Sequence, residues 1–348
     1  MTPHGRGAAT NPANHFDALR VETDEDAWID DDPRPLKTQF LRDDSQSVLS
    51  LNDSTDIKFD YGVNPYRGCE HGCSYCYARR YHEYLGFSSG LDFESKIIVK
   101  ENAPELLERA LAKPSYQVGQ IAMSGVTDCY QPVERKLQLT RRCLEVLARF
   151  RNPVSVITKN ALVARDTDHL SELAKHQAAV VLLSVTTLDP DLARVLEPRA
   201  SSPRARLEAI QRLSEAGIPA GVSIAPMIPG LNDNELPAIV KAVAEHGGRF
   251  AIYSVVRLPG TVKEVFAGWL DRHQPMAKEK ILGRIRAFHG GNLNDTRVGV
   301  RGRGSGEQSK QLNALFKACC RKHGLSSQFP ELNKDAFRRM MPGQGELF

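Results

Sequence analysis

Three cysteines, Cys69, Cys73 and Cys76, stand in the run Arg67-Gly-Cys-Glu-His-Gly-Cys-Ser-Tyr-Cys-Tyr-Ala78, a CxxxCxxC spacing. Thiolates are soft ligands, and three of them on one short loop can hold three irons of a [4Fe-4S] cluster, leaving the fourth iron open to another ligand. Gly68 and Gly72 suit such a loop, because a residue without Cβ adopts positive φ and lets backbone approach closely. Two other readings use the same residues. One is a zinc site, for which His71 is the obvious fourth ligand within the loop; the other is plain packing of buried thiols. The remaining cysteines, Cys129, Cys143, Cys319 and Cys320, form no second CxxC-type pair, so one cluster is expected.

These thiols need a scaffold. Short β-rich runs at 58–64, 119–124, 154–158, 180–186, 220–225 and 250–256 alternate with amphipathic helical runs at 103–112, 135–149, 168–175, 203–216 and 235–246. That alternation predicts βα units around a parallel sheet. Ser202-Pro203 is a good N-cap with proline at the first helical position.

With Tyr75 as the aromatic Φ, the loop resembles the CxxxCxΦC signature of the radical S-adenosylmethionine (SAM) superfamily. The resemblance implies a partial (β/α)6 TIM-type barrel over about residues 55–260. It also implies that SAM chelates the open iron and that an electron then cleaves it to methionine and a 5′-deoxyadenosyl radical. An external one-electron reductant, flavodoxin- or ferredoxin-like, would supply that electron. Tyr75 and Tyr77 would lie beside SAM, and barrel chemistry is expected just after each strand.

The strand ends supply the other candidates. After the second strand comes Met123-Ser-Gly-Val-Thr-Asp-Cys-Tyr-Gln-Pro, where the resemblance places Ser124, Gly125, Val126 and Thr127 against the SAM amino group. Lys159 and Ser184, closing the third and fourth strands, resemble the pair that binds the SAM carboxylate in the branch related to spore photoproduct lyase, a DNA repair enzyme. In Leu196-Glu-Pro-Arg199, Glu197 and Arg199 are expected to brace SAM or to pair with each other. Val222 and Ile224 of the fifth strand read as adenine-facing wall or as core.

The lyase branch places a cysteine hydrogen-atom donor directly before its Ser/Asp pair, where this chain has Val126. Cys129, Tyr130 and Asp128 are the catalytic candidates in its place, with turn and cap roles as the alternative for Asp128 and Tyr130.

The chain has 348 residues, 41% hydrophobic and 25% charged, with a net charge of +4. Seven cysteines in that length make no disulfide framework, and the longest apolar run, 178–183, is far too short to span a bilayer. A cytoplasmic protein without a membrane partner is expected. Residues 1–60 carry 6 Lys/Arg against 13 Asp/Glu, densest at 22–32, whereas residues 278–339 carry 14 against 5. The expected organisation is therefore an acidic, largely irregular extension (1–50), a core barrel (55–260) and a basic, mainly helical extension (261–348) ending in an extended tail at 341–348.

The basic part, including Arg301 and Arg303, is either a footprint for nucleic acid or a solvated face. Its glycine-rich run 297–306 lacks a GxxxxGK[ST] and reads as a flexible loop. A radical enzyme acting on nucleic acid, in the manner of a lesion-repair lyase, is the leading expectation. Modification of a peptide or small metabolite, and an iron–sulfur electron carrier or sensor, are the alternatives.

Overall fold

A computed structural model of the chain describes residues 5–16, 36–54, 56 and 59–340. The acid-rich stretch 22–32, Lys58 and the tail 341–348 lie outside the described residues. The strands are β1 (Gln39–Arg42), β2 (Leu49–Leu51), β3 (Tyr61–Val63), β4 (Tyr66–Arg67), β5 (Lys96–Val99), β6 (Ile121–Met123), β7 (Val154–Thr158), β8 (Ala179–Ser184), β9 (Ala220–Met227) and β10 (Phe250–Val255).

Six strands, in the order β10-β9-β8-β7-β6-β3, form the parallel wall of the partial barrel, and β2 adds an antiparallel edge beside β3. The wall is mixed α/β, as expected. Its strands are near-continuous apolar runs because both faces are covered. Val154, Val156, Val181, Leu183, Val222 and Ile224 pack outward with Leu144, Leu147, Ile210, Leu213, Ile239 and Val243 of the helices. Val222 and Ile224 are thus core.

On the other face Ile157, Val180, Leu182, Phe250 and Ile252 meet Phe329 and Leu332. The segment that brings those two residues runs beneath the N-terminal ends of the strands. Ala251 N donates to Ser326 O (2.9 Å), Asn333 N to Gln177 O (3.0 Å) and Arg338 N to Phe150 O (2.9 Å), so one end of the barrel has a floor.

The helix expected at 135–149 is two helices, Glu134–Leu137 and Leu139–Phe150, joined through Gln138 at φ 52°. Glu134 causes the break: its buried carboxylate takes the amides of Thr140 (3.0 Å) and Arg141 (3.3 Å) and the Tyr66 hydroxyl (2.5 Å), restarting the helix. Within the stretch expected to be irregular, β1 pairs with β5 in a second sheet, and β2 forms the edge of the wall. Within the stretch expected to be mainly helical, Val262–His273 and Lys278–Phe288 bury Phe266, Trp269, Ile281 and Ile285 against Cys73, Tyr75 and Leu196, and so roof the cysteine loop.

Candidate active site

The cysteine loop leaves β4 and is pinned from several sides. Cys69 N donates to Phe93 O (2.8 Å), Glu70 N to the Gln131 amide oxygen (2.9 Å) and Ser74 N to Leu196 O (3.2 Å); His71 O accepts from Arg199 N (3.3 Å). Beneath it lies Arg79, wholly buried, donating to Cys73 O (2.9 Å), Ser89 O (3.0 Å) and Gly90 O (2.9 Å) and paired with the buried Glu94. Gly68 and Gly72 adopt φ of 76° and 68°, the left-handed region their lack of Cβ allows.

All three thiols are free; Cys69 and Cys73 are buried and Cys76 partly accessible. Burial, with the neighbouring Asp128 and the other two thiols, pushes Cys69 well above the usual thiol range. Burial and Glu197 push Cys73 up to about 12, and burial raises Cys76. Three crowded thiols that resist ionisation fit a cationic iron cluster, whose binding displaces their protons. Ser74 adds a second sign: its hydroxyl, wholly buried, has no hydrogen-bond partner among the described residues, and cluster sulfide is an acceptor. No three His, Cys, Asp or Glu side chains among the described residues close on a single-ion site, and His71 faces Asp128 instead, so the zinc reading finds no support.

Beside the thiols lies a buried charged network. Tyr75 OH donates to Glu197, which also pairs with Arg206 and accepts from Thr186 Oγ1 (2.8 Å). Arg206 further donates to Ser184 O (2.9 Å) and Ser201 O (2.7 Å). Lys159 Nζ stands 5.7 Å from the Tyr75 ring centroid. Burial pulls the Lys159 ammonium down, but Glu197 and Cys73 outweigh it and leave the pKa raised. The structure thus gathers Cys73, Tyr75, Lys159 and Glu197 at one place. Ser184 enters through its carbonyl, at the end of β8.

The loop after β6 mixes polar anchors with core residues. Ser124 and Gly125 take φ of 131° and 127°; Ser124 Oγ donates to Ile157 O (2.6 Å), and Gly125 O accepts from Tyr77 OH (2.7 Å). Thr127 Oγ1 donates to Gly68 O (2.6 Å), while Val126 N faces Asn64 (3.4 Å). Asp128 accepts from Thr158 Oγ1 (2.7 Å), Lys159 N (2.8 Å) and Tyr130 N (2.9 Å) and lies 3.3 Å from His71 Nδ1. Burial alone would raise its pKa, but His71 and these donors carry it down to about 2.

Three expected roles find other geometry. Cys129 is wholly buried, its thiol 3.6 Å from Met123 O, and burial pushes it well above its usual range. Tyr130, also buried, gives its hydroxyl to Asp166 (2.9 Å). Arg199 pairs with Glu70 (3.2 Å), whereas Glu197 pairs with Arg206, so the expected Glu197–Arg199 pair does not form. Gln131, Arg79, Glu94 and Arg206 escaped the sequence reading. Gln131 alone belongs to the run that follows β6, and the others carry no spacing signal because their partners come from other elements.

A cavity of about 670 Å³ flanks the loop, lined on one side by Ser45, Ser47, Ser50 and Asn64 and on the other by Tyr81, Tyr84 and Phe93. Arg67 and Lys100 also line it. Four of the basic C-terminal residues are elsewhere and engaged: Arg301 with Asp56, Arg297 with Asp295 (2.6 Å), Lys334 with Asp60 (2.8 Å), and Arg303 over the Tyr253 ring (4.0 Å).

Comparison with known proteins agrees with this geometry. The family model described as the radical SAM superfamily matches residues 63–243. An uncharacterised protein of Mycobacterium tuberculosis is 35% identical over 245 residues, 70% of this chain and 71% of that protein. One of Methanocaldococcus jannaschii is 35% identical over 175 residues, 50% of this chain and 63% of that protein. Spore photoproduct lyase complexed with dinucleoside spore photoproduct superposes with a TM-score of 0.60 at 15% identity, over 83% of this chain and 82% of that one. A mutant of that lyase with bound AdoMet and dinucleoside spore photoproduct gives 0.59 at 15% identity, over 83% and 81%.

Proposed function

The chain belongs to the radical SAM superfamily, and from that premise we propose that it is a radical enzyme whose Cys69, Cys73 and Cys76 hold the cluster and whose substrate is a nucleic acid, handled in a lyase-like way. The family's cofactors, a [4Fe-4S] cluster and SAM, are those of this chain, and the family needs an external reductant. No helix among the described residues is long and apolar enough to cross a membrane. When bound, the cluster supplies an electron that splits SAM into methionine and a 5′-deoxyadenosyl radical. The observation that carries the reading is the three free thiols of one loop standing next to the Tyr75–Glu197–Lys159 network.

The roles of the chain's residues follow from their placement. Lys159, held cationic chiefly by Glu197, is suited to a carboxylate, and Glu197 also fixes the Tyr75 ring. Ser124 and Gly125, in conformations costly for most residues, present backbone at the barrel mouth for the SAM amino group. Asp128 and Thr127 act as positioning residues, tying the β6 loop to Lys159 and to Gly68. Cys129 has a packing role. We assign no hydrogen-atom donor.

For the substrate, the fold likeness to spore photoproduct lyase supports nucleic acid, and so does the cavity, where Tyr81 and Tyr84 offer stacking faces. Arg297, Arg301 and Lys334 of the basic C-terminal region are already paired and give that reading little help. Anaerobic reconstitution followed by dithionite and SAM tests the enzyme. 5′-Deoxyadenosine from wild type and none from Cys73→Ala is the expected result; none from either, with a cluster present, would turn the reading toward electron transfer. Oligonucleotides with damaged pyrimidines then test the substrate, and a peptide or metabolite becomes the reading if none is changed.

A further inference from the structure

Residues 5–14 lie across the outside of the cysteine loop, far from it in sequence. Glu94 holds them. Its carboxylate, wholly buried, accepts from Gly7 N (3.0 Å) and Ala8 N (2.8 Å) while it pairs with Arg79, the side chain that donates to Cys73 O. Gly7 fits against Gly72 so closely that a Cβ on Gly7 would stand 1.7 Å from Gly72 O, and one on Gly72 would stand 2.8 Å from Glu94 Oε2. Arg272 of the roofing helix donates to Gly7 O (3.0 Å), and Arg6 reaches the backbone oxygens of Glu94 and Leu36. Farther along, Ser88 Oγ donates to Pro12 O (2.7 Å), Asn14 Nδ2 to Glu83 O (2.9 Å), and Asn11 and Asp92 exchange two hydrogen bonds (2.9 and 3.1 Å).

A free tail would not be anchored at every second or third residue, nor would a buried carboxylate be shared between it and a cysteine-loop support. We propose that residues 5–14 are a working part of the cluster site: a strap, fastened by Glu94, that locks the cysteine loop closed and sets how long the cluster is retained. Glu94 is then a positioning residue acting on Cys73 through Arg79 and on Gly72 through the strap. Lifting the strap leaves the barrel core intact but lets the loop open locally, and local opening governs how fast a buried site is reached. The inference rests on the cluster assigned above.

The test is anaerobic iron loss. Reconstituted full-length protein is challenged with excess EDTA, and bleaching of the cluster absorbance is timed in wild type, Gly7→Ala and Glu94→Gln. Trypsin cleavage after Arg6 reports whether the strap has lifted, and the melting temperature of the apoprotein reports the fold. We expect both variants to lose iron about tenfold faster, a rise in loop opening equivalent to about 1.4 kcal/mol, with faster cleavage after Arg6. Gly7→Ala should also melt as wild type does. Faster cleavage after Arg6 with wild-type iron retention would overturn the proposal, as would wild-type retention in both variants. A wild-type protein that takes up no cluster would instead overturn the assignment of the site itself.

Discussion

The two ends of the barrel are built on opposite principles. Around the cysteine loop, charge is buried: Arg79 with Glu94, Arg206 with Glu197, and Asp128 beside His71 all sit in closed surroundings. At the floor, Phe250, Leu182 and Val180 meet Phe329 and Leu332, and an ion pair there, Lys334–Asp60, is half exposed. Desolvating an ion pair often costs as much as the pair returns, so a fold seeking stability alone would make both ends like the floor. The loop end keeps its charges because they hold conformation: each pair fixes a backbone segment that carries a thiol or a strand-end residue.

Substitutions at the two ends should therefore fail differently. The largest effect is at Cys73. Cys73→Ala should leave the apoprotein folded but cut 5′-deoxyadenosine formation by a factor of 10³ or more, on the order of 4 kcal/mol of barrier. Iron content together with product yield would check this, and a cluster that still turns over with two cysteines would break the assignment. Next comes Glu197→Gln, which strands the Arg206 guanidinium in a closed site and should cost about 3–5 kcal/mol of stability in a denaturant melt. A loss under about 1 kcal/mol would mean that the network is not conformational glue.

At the floor, Phe250→Ala should cost about 3–4 kcal/mol through cavity formation, with the cluster and its bleaching rate unchanged. If that substitution also emptied the cluster site, the two ends would not be independent. Asp128→Asn should cost about 1–3 kcal/mol, since Asn accepts fewer of the donors now satisfied. Its pH signature gives the sharper test. The folded carboxylate titrates at about 2 against an ordinary 3.8, so its stabilisation is present above pH 3.8 and fades as pH falls toward 2. The Asn variant should therefore lose less stability than wild type as pH falls from 5 to 2 in denaturant melts, other lowered carboxylates such as Asp168 contributing equally to both.

The same contrast explains what could be read in advance. The wall was legible because apolar runs and amphipathic helices are local: β7 and the helix Ala103–Ala112 match the expected bounds residue for residue. The thiols were legible because their spacing lies within one loop. The network was not. Glu94 works through Gly7 and Arg79, and Arg206 through Glu197 and Ser184, and no periodicity links such partners. Cys129 and Tyr130 drew attention by lying in the β6 loop, but that loop returns their side chains to the core. The helix break at Gln138 was hidden for the same reason, since Glu134 makes it by meeting Tyr66.

The smallest expected effect concerns the basic C-terminal region, where charge count suggested most and geometry offers least. Lys334 and Asp60 are each about half exposed at 2.8 Å, so the pair is weakened by solvent screening and by the entropy of holding a long side chain. Lys334→Ala should change stability by about 0.5 kcal/mol or less, with what effect there is vanishing in 0.5 M salt. The neighbouring main-chain bonds of Asn333 and Arg338 already hold the segment to the floor without it. A larger loss that survives salt would show that the floor, like the loop end, depends on charge, and the contrast between the two ends would fall.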